Sequence, residues 1–154
     1  MGSSSMSDKL ILFILALVAL VFSHLSFSET KDIDIKIESI SSQGEWEIDG
    51  KEGSYRFVLY QYGFEHVVGE LWVQWLQWET DKDGMYTRKV LVAERPIIEL
   101  NQLNFALDQP TCIKPWPCSE FKIEAFSTFE GVPNKKYIFK PLNIGSYAIK
   151  EIKL

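Results

Sequence analysis

From residue 33 onward, apolar and polar residues alternate in short runs that turn residues interrupt about every ten positions. In residues 33–37, for example, three isoleucines alternate with aspartate and lysine. A period of two places successive side chains on opposite faces of a β-strand. Helical periodicity between the strands is lacking, so the pattern argues against an α/β fold and predicts antiparallel strands.

The predicted fold class is all-β, an antiparallel β-sandwich of Ig-like or transthyretin-like architecture, with a small β-barrel as the alternative. We expect eight or nine strands and no helix, with turns at residues 41–44, 49–53 and 80–84. The predicted strands are residues 31–38, 45–48, 55–62, 67–79, 86–94, 121–126, 137–139 and 147–154, with shorter extended pieces at residues 97–100 and 103–107.

The C-terminal stretch PLNIGSYAI, residues 141–149, resembles the closing strand of transthyretin-like and other Ig-like bacterial sandwich modules. The resemblance covers a turn and the strand after it, and it assigns no family. It implies the sandwich architecture alone.

Residues 10–22 (LILFILALVALVF) form an uncharged apolar run behind Lys9. Ser26 and Ser28 place small residues three and one positions before a cut at Glu29. This layout is typical of a secretory signal peptide, and the run is shorter than the roughly 20 residues of a spanning helix. We predict a signal peptide over residues 1–28, with residues 1–5 a tag or upstream start, and one periplasmic or secreted domain over residues 29–154. An uncleaved signal would be the only membrane attachment.

Cys112 and Cys118 are the only cysteines in the sequence. Export places them in an oxidising compartment, which predicts a disulfide. Chain-entropy arithmetic gives so small a ring about 2.4 kcal/mol, so the bond fixes a loop rather than the whole domain. Trp116 lies inside that loop between two prolines, which restrict the backbone further.

Two groups of side chains are candidates for binding a partner. Trp116, with Ile113 and Lys114, is either displayed by the loop or folded back onto the sheet. Trp72 and Trp78 fall on one face of the longest strand, where exposed rings stack sugars or dock a protein. The alternative is a central strand covered on both faces, because both of its faces are apolar.

This chain has few residues in patterns that form catalytic or metal sites in other proteins. Glu65 and His66 are neighbours, but adjacent strand positions face opposite ways and do not share a site. Residues 81–84 (DKDG) resemble the opening of a calcium loop, yet a hairpin turn explains them. The net charge of −5 argues against nucleic acid, and the cysteines and histidines are too few for zinc. We expect no cofactor and no metal.

These observations predict an exported, non-catalytic sandwich domain that binds a protein or glycan partner as an inhibitor or accessory subunit. The first alternative is a carbohydrate-binding module that uses the face of Trp72 and Trp78. The second is a small hydrolase, since glycoside hydrolysis needs only a pair of carboxylates.

Exported protein should begin at Glu29, because the small residues at positions 26 and 28 suit cleavage there. Intact-mass measurement of protein from the extracytoplasmic fraction checks this. A mass that still includes residues 10–22 would contradict cleavage and indicate an anchor instead.

Overall fold

The first half of the folded chain forms a four-stranded antiparallel meander. A computed structural model describes residues 34–114 and 118–153, so the predicted signal peptide and Trp116 lie outside the described residues. Asp49 and Gly50 have φ values of 53° and 71° and form the tight turn of the first hairpin. The strands pair in the order of the sequence as β1 (Ile37–Ile48), β2 (Lys51–Tyr62), β3 (Val68–Thr80) and β4 (Tyr86–Pro96).

The second sheet follows a one-turn helix, α1 (Ile98–Asn101). Its strands are β5 (Ala106–Leu107), β6 (Thr111–Cys112), β7 (Phe121–Phe126), β8 (Lys135–Pro141) and β9 (Tyr147–Ile152). The last three form a meander, and β5 and β6 pair one after the other with the free edge of β7. Among the described residues, no helix has the length and apolar character needed to cross a membrane.

The predicted all-β sandwich is confirmed, since antiparallel sheets of four and five strands pack together. Strands that follow one another in sequence are neighbours in both sheets, apart from the shared edge of β7. Immunoglobulin domains use Greek-key connections instead. Within the described chain, the sandwich is therefore built from two stacked meanders.

The prediction that residues 97–100 are extended was wrong, because they belong to the turn of α1. The N–H groups of Leu100 and Asn101 both donate to the Ile97 carbonyl at 3.0 Å. Asn101 then takes over from β4 as the partner of β3: the Leu71 N–H donates to Asn101 Oδ1 at 2.8 Å. A single helical turn is too short to show a helical period in the sequence.

The turn predicted at residues 41–44 was also wrong. These residues continue β1, and the register against β2 shifts between Gln43 and Glu45. Gly44, at φ 68°, supplies the left-handed residue of this β-bulge. Polar residues and a glycine therefore mark an irregular strand here rather than the end of one.

The core lies between the sheets and is rich in aromatic rings. Trp75, Phe57, Phe121 and Phe139 are fully buried. Tyr55 meets Trp75 and Phe121 edge to face, with ring centroids 6.1 Å and 5.8 Å apart. Such contacts are worth roughly 0.5–1.5 kcal/mol each beyond the area they bury.

One edge of the sandwich is closed by polar side chains. Ser41 Oγ donates to Gln109 Oε1 at 2.7 Å, and Gln43 Nε2 donates to the Pro110 carbonyl at 2.6 Å. Gln109 Nε2 in turn donates to Ser39 Oγ. These bonds connect β1 to the segment between β5 and β6, which explains why inward positions of β1 are polar.

Stability should fall at alkaline pH through Tyr55, because burial raises its pKa from 10.0 to about 12. Below pH 10 the hydroxyl is protonated in both states. Between those pKa values only the unfolded chain loses the proton, so the free energy of unfolding falls by at most about 1.4 kcal/mol per pH unit.

Urea denaturation from pH 9 to pH 12 measures this slope, and Tyr55→Phe keeps the core ring without the hydroxyl. The difference between the two proteins in the slope of unfolding free energy against pH is the contribution of the Tyr55 hydroxyl. Identical slopes in both proteins would contradict the prediction.

Candidate functional site

The tryptophans of β3 divide between its two faces. Trp75 points inward and is fully buried, whereas Trp72 and Trp78 point outward and are half-buried. Strand β3 is central in its sheet, with β2 on one side and β4 on the other. The outward face of this sheet is therefore the surface on which both predicted tryptophans lie.

Trp78 lies in a groove of about 760 Å³, here called the Trp78 groove. Tyr86 and Lys89 of β4, Glu52 and Ser54 of β2, and the Cys112–Cys118 disulfide line it with Trp78. Direct pairing of Trp78 with Lys89 across β3 and β4 brings the lysine to the tryptophan. The groove thus joins two elements that the sequence suggested separately, the disulfide loop and Trp78.

Trp78 and Tyr86 form an aromatic corner in the Trp78 groove. Their ring centroids are 4.9 Å apart at 69°, and Lys89 Nζ lies 5.9 Å from the centroid of the Trp78 ring. The Tyr86 hydroxyl reaches over β3 and donates to Glu52 Oε2 at 2.7 Å. This bond raises the pKa of Tyr86, as do lost hydration and the charges of Glu52 and Glu45. The carboxylates of Glu45 and Glu52 in the groove therefore both act on the Tyr86 hydroxyl.

Ser54 is a buried polar residue in the wall of the Trp78 groove. It is only 5% exposed, and its Oγ has no hydrogen-bond partner among the described residues. Its carbonyl accepts a bond from Trp46 Nε1 at 3.2 Å, which fixes the backbone there. Burying a hydroxyl without a partner costs roughly 1–3 kcal/mol, so this wall lowers the stability of the domain.

The disulfide loop is attached to the core through both of its cysteines. Cys112 and Cys118 are bonded with Cα atoms 5.6 Å apart, in the normal disulfide range. Cys118 is buried in the core, whereas Ile113 and Lys114 are exposed. A disulfide is consistent with an oxidising, extracytoplasmic location. The predicted contact residue Trp116 lies outside the described residues.

Trp72 lies in a second concavity of about 430 Å³, here called the Trp72 pocket. Tyr62, Glu70 and Lys36 line it with Trp72. The Tyr62 hydroxyl donates to Glu70 Oε1 at 2.6 Å, and Lys36 Nζ lies 6.0 Å from the centroid of the Tyr62 ring. The two outward tryptophans thus share a face but line different concavities.

A polar row crosses the sheet and ends at Glu94 in the Trp72 pocket. Arg56 Nε donates to Gln74 Oε1, and Gln74 Nε2 donates to Glu94 Oε1. These residues come from β2, β3 and β4 in turn. The row uses the amide of Gln74 to link an arginine to a carboxylate across three strands.

The remaining residues singled out in the sequence do not converge. Glu65 and His66 lie exposed in the loop after β2, and the His66 ring stacks on Phe129 at 4.4 Å. Asp81 Oδ1 accepts the N–H groups of Asp83 and Met85, which is the geometry of a turn. In residues 34–114 and 118–153, no three His, Cys, Asp or Glu side chains group to hold a metal ion.

Sequence reasoning missed Tyr86, Lys89, Glu52 and Ser54 as partners of Trp78. They belong to strands on either side of β3, and only the register shows which of them reach the ring. The hairpin turn at residues 81–84 was the available signal, because it limits which β4 residues can face Trp78.

Comparison of the chain with protein-family models, curated proteins and solved structures finds no match. Function is therefore inferred from the geometry of the Trp78 groove and the Trp72 pocket.

Replacing Gly44 should weaken the attachment of the disulfide loop. Gly44 and Gly50 both have positive φ, which costs an alanine about 1–2 kcal/mol. A Cβ on Gly44 would also lie 2.6 Å from the Cys118 carbonyl oxygen, whereas a Cβ on Gly50 would meet nothing within 4 Å.

We expect Gly44→Ala to lower the free energy of unfolding by about 1–3 kcal/mol more than Gly50→Ala. Urea denaturation of the two variants measures the difference. Equal losses would show that the loop does not press on β1.

Proposed function

We propose that this chain is an exported, non-catalytic domain that binds a protein partner at the Trp78 groove and the adjoining disulfide loop. The observation that carries the proposal is that both half-cystines line the same groove as the Trp78–Tyr86 corner. A loop closed by a disulfide and restricted by two prolines loses little entropy when it is bound. This chain would act on that partner as an inhibitor or as an accessory subunit.

Export is supported by two independent features. The N-terminal apolar run has the layout of a signal peptide. The disulfide suits the oxidising periplasm or the extracellular space.

The shape of the Trp78 groove suits a protein partner better than a glycan, because a glycan would stack on a flat platform of aromatic rings. Trp72 and Trp78 lie in separate concavities, and the Lys89 ammonium stands over the ring of Trp78. Protein interfaces favour aromatic anchors with polar groups at their rim. A glycan remains the second candidate, because one aromatic ring beside carboxylates also suits a sugar.

Truncation of two aromatic residues tests the proposal. The chain is first used to capture its partner from the native envelope, and the affinity is then measured with the purified partner. Tyr86 is 60% exposed, so Tyr86→Ala should cost about 1 kcal/mol of stability or less while binding falls by about 2 kcal/mol or more. Phe64→Ala is the matched control, since Phe64 is 97% exposed in the loop after β2.

Trp116→Ala should behave in the same way if the loop displays its tryptophan. A change of about 0.5 kcal/mol or less in stability is then expected, together with a loss of about 2 kcal/mol or more in binding. A stability loss of about 3–5 kcal/mol would instead show that Trp116 packs onto the sandwich. Binding that Tyr86→Ala and Trp116→Ala leave unchanged would refute the proposal, and glycan hydrolysis by the wild-type chain would support the enzyme alternative.

A further inference from the structure

The same two kinds of contact occur in both concavities on the outward face of the first sheet. In the Trp78 groove, a tyrosine hydroxyl donates to Glu52 and a lysine stands over an aromatic ring. In the Trp72 pocket, the Tyr62 hydroxyl donates to Glu70, and Lys36 stands over the ring of that same tyrosine rather than over Trp72. The hydroxyl-to-carboxylate distances are 2.7 Å and 2.6 Å, and the lysine-to-ring distances are 5.9 Å and 6.0 Å.

Both concavities have an excess of negative charge. Each is lined by three carboxylates and one lysine: Glu45, Glu47, Glu52 and Lys89 in the groove, and Asp34, Glu70, Glu94 and Lys36 in the pocket. Glu47 and Glu52 even stand directly opposite each other across β1 and β2. Like charges in that position destabilise a sheet, so this pair costs stability that a bound cation would recover.

Aromatic faces beside carboxylates are the chemistry that recognises a cation. Lys36 and Lys89 already occupy this position within the chain, which shows that the rings accept an ammonium group. The buried Ser54 hydroxyl, without a partner among the described residues, adds an unused polar group to the wall of the groove. Each concavity therefore offers a partner's cation aromatic rings beside carboxylates.

The spacing of the two outward tryptophans, one in each concavity, fits an extended chain. Trp72 and Trp78 are six positions apart on one strand, which corresponds to roughly 20 Å. A partner strand has the same rise, so its side chains at positions i and i+6 point to one side at that spacing. We propose that this face binds an extended basic segment of the protein partner, with two Lys or Arg side chains six residues apart at the Trp78 groove and the Trp72 pocket. This inference rests on the proposed function, because it specifies the partner of the Trp78 groove.

Short peptides with defined lysine spacing test the inference on the full chain. The probe is a labelled nine-residue Ser/Thr peptide with lysine at positions 2 and 8, and fluorescence anisotropy measures its affinity. Because two linked contacts reinforce each other, it should bind at least about tenfold more tightly than a peptide with lysine at position 2 alone. Lysines at positions 2 and 5 point to opposite faces of a strand and should give no such gain. Affinity should also fall as salt is added.

Matched variants locate the binding on this face. Glu52→Gln and Glu70→Gln each remove one charge with little change in shape and should weaken the two-lysine peptide about two- to fivefold. Glu120→Gln, which removes a carboxylate that pairs with Lys140 beside the second sheet, is the control and should leave the affinity unchanged. Lys89→Gln should tighten binding, because the resident ammonium no longer competes. Circular dichroism confirms that each variant is folded.

Equal affinity for the one-lysine, two-lysine and lysine-free peptides would overturn the inference. Binding to free phosphocholine without binding to the peptides would overturn it too, and would point to a lipid headgroup. If the captured partner needs Tyr86 but the basic peptides do not bind, the proposed function stands and only this inference fails. If the peptides bind as expected but the captured partner ignores Tyr86 and Trp116, the proposed function fails and the cation sites stand.

Discussion

The register of β3 between β2 and β4 is the constraint on which the rest of the structure depends. Ten consecutive pairs connect β2 to β3 without a shift, so inward and outward positions stay separate along the strand. Leu71, Val73 and Trp75 are thereby all directed into the core. A slip of one residue would place them on the surface and bury Trp72 and Trp78 instead. The same register therefore sets both the core and the two concavities.

The edges of the sandwich are closed by hydrogen bonds that take over where strand pairing ends. Beyond β4, the side chain of Asn101 serves as the partner of Leu71. Along β1, the bulge at Gly44 brings the strand close to the Cys118 carbonyl. The Asn101 hydrogen bond depends on a single side chain and the bulge on a single glycine. Both make contacts with residues distant in sequence. They leave the outward face of β2, β3 and β4 free to carry polar and aromatic groups.

The fold class could be predicted from the sequence because alternation and turns are local signals. Strands β3 and β4 agree with the predicted runs within two residues, whereas β2 begins at Lys51, inside the turn predicted at residues 49–53. Helix α1 could not be foreseen, since its turn is stabilised by burial of Leu100 rather than by a periodic sequence. Trp78 could be identified from the sequence as a candidate binding residue, but Glu52 and Tyr86 could not be predicted to lie beside it. Their bond crosses β3 between strands whose register is fixed only by the folded sheet.

The resident lysines limit the stability that the proposed cation sites cost the domain in the absence of a partner. A cation over an exposed aromatic ring is worth only about 0.5–1 kcal/mol, and an exposed ion pair is worth about as little. Lys36 and Lys89 thus offset part of the repulsion among the carboxylates, yet little free energy is needed to move them. A partner strand that covers the face would exclude water, which strengthens the same contacts to about 2 kcal/mol or more. The partner's cations would then bind the rings more strongly than Lys36 and Lys89 do, mainly because only the partner buries these contacts.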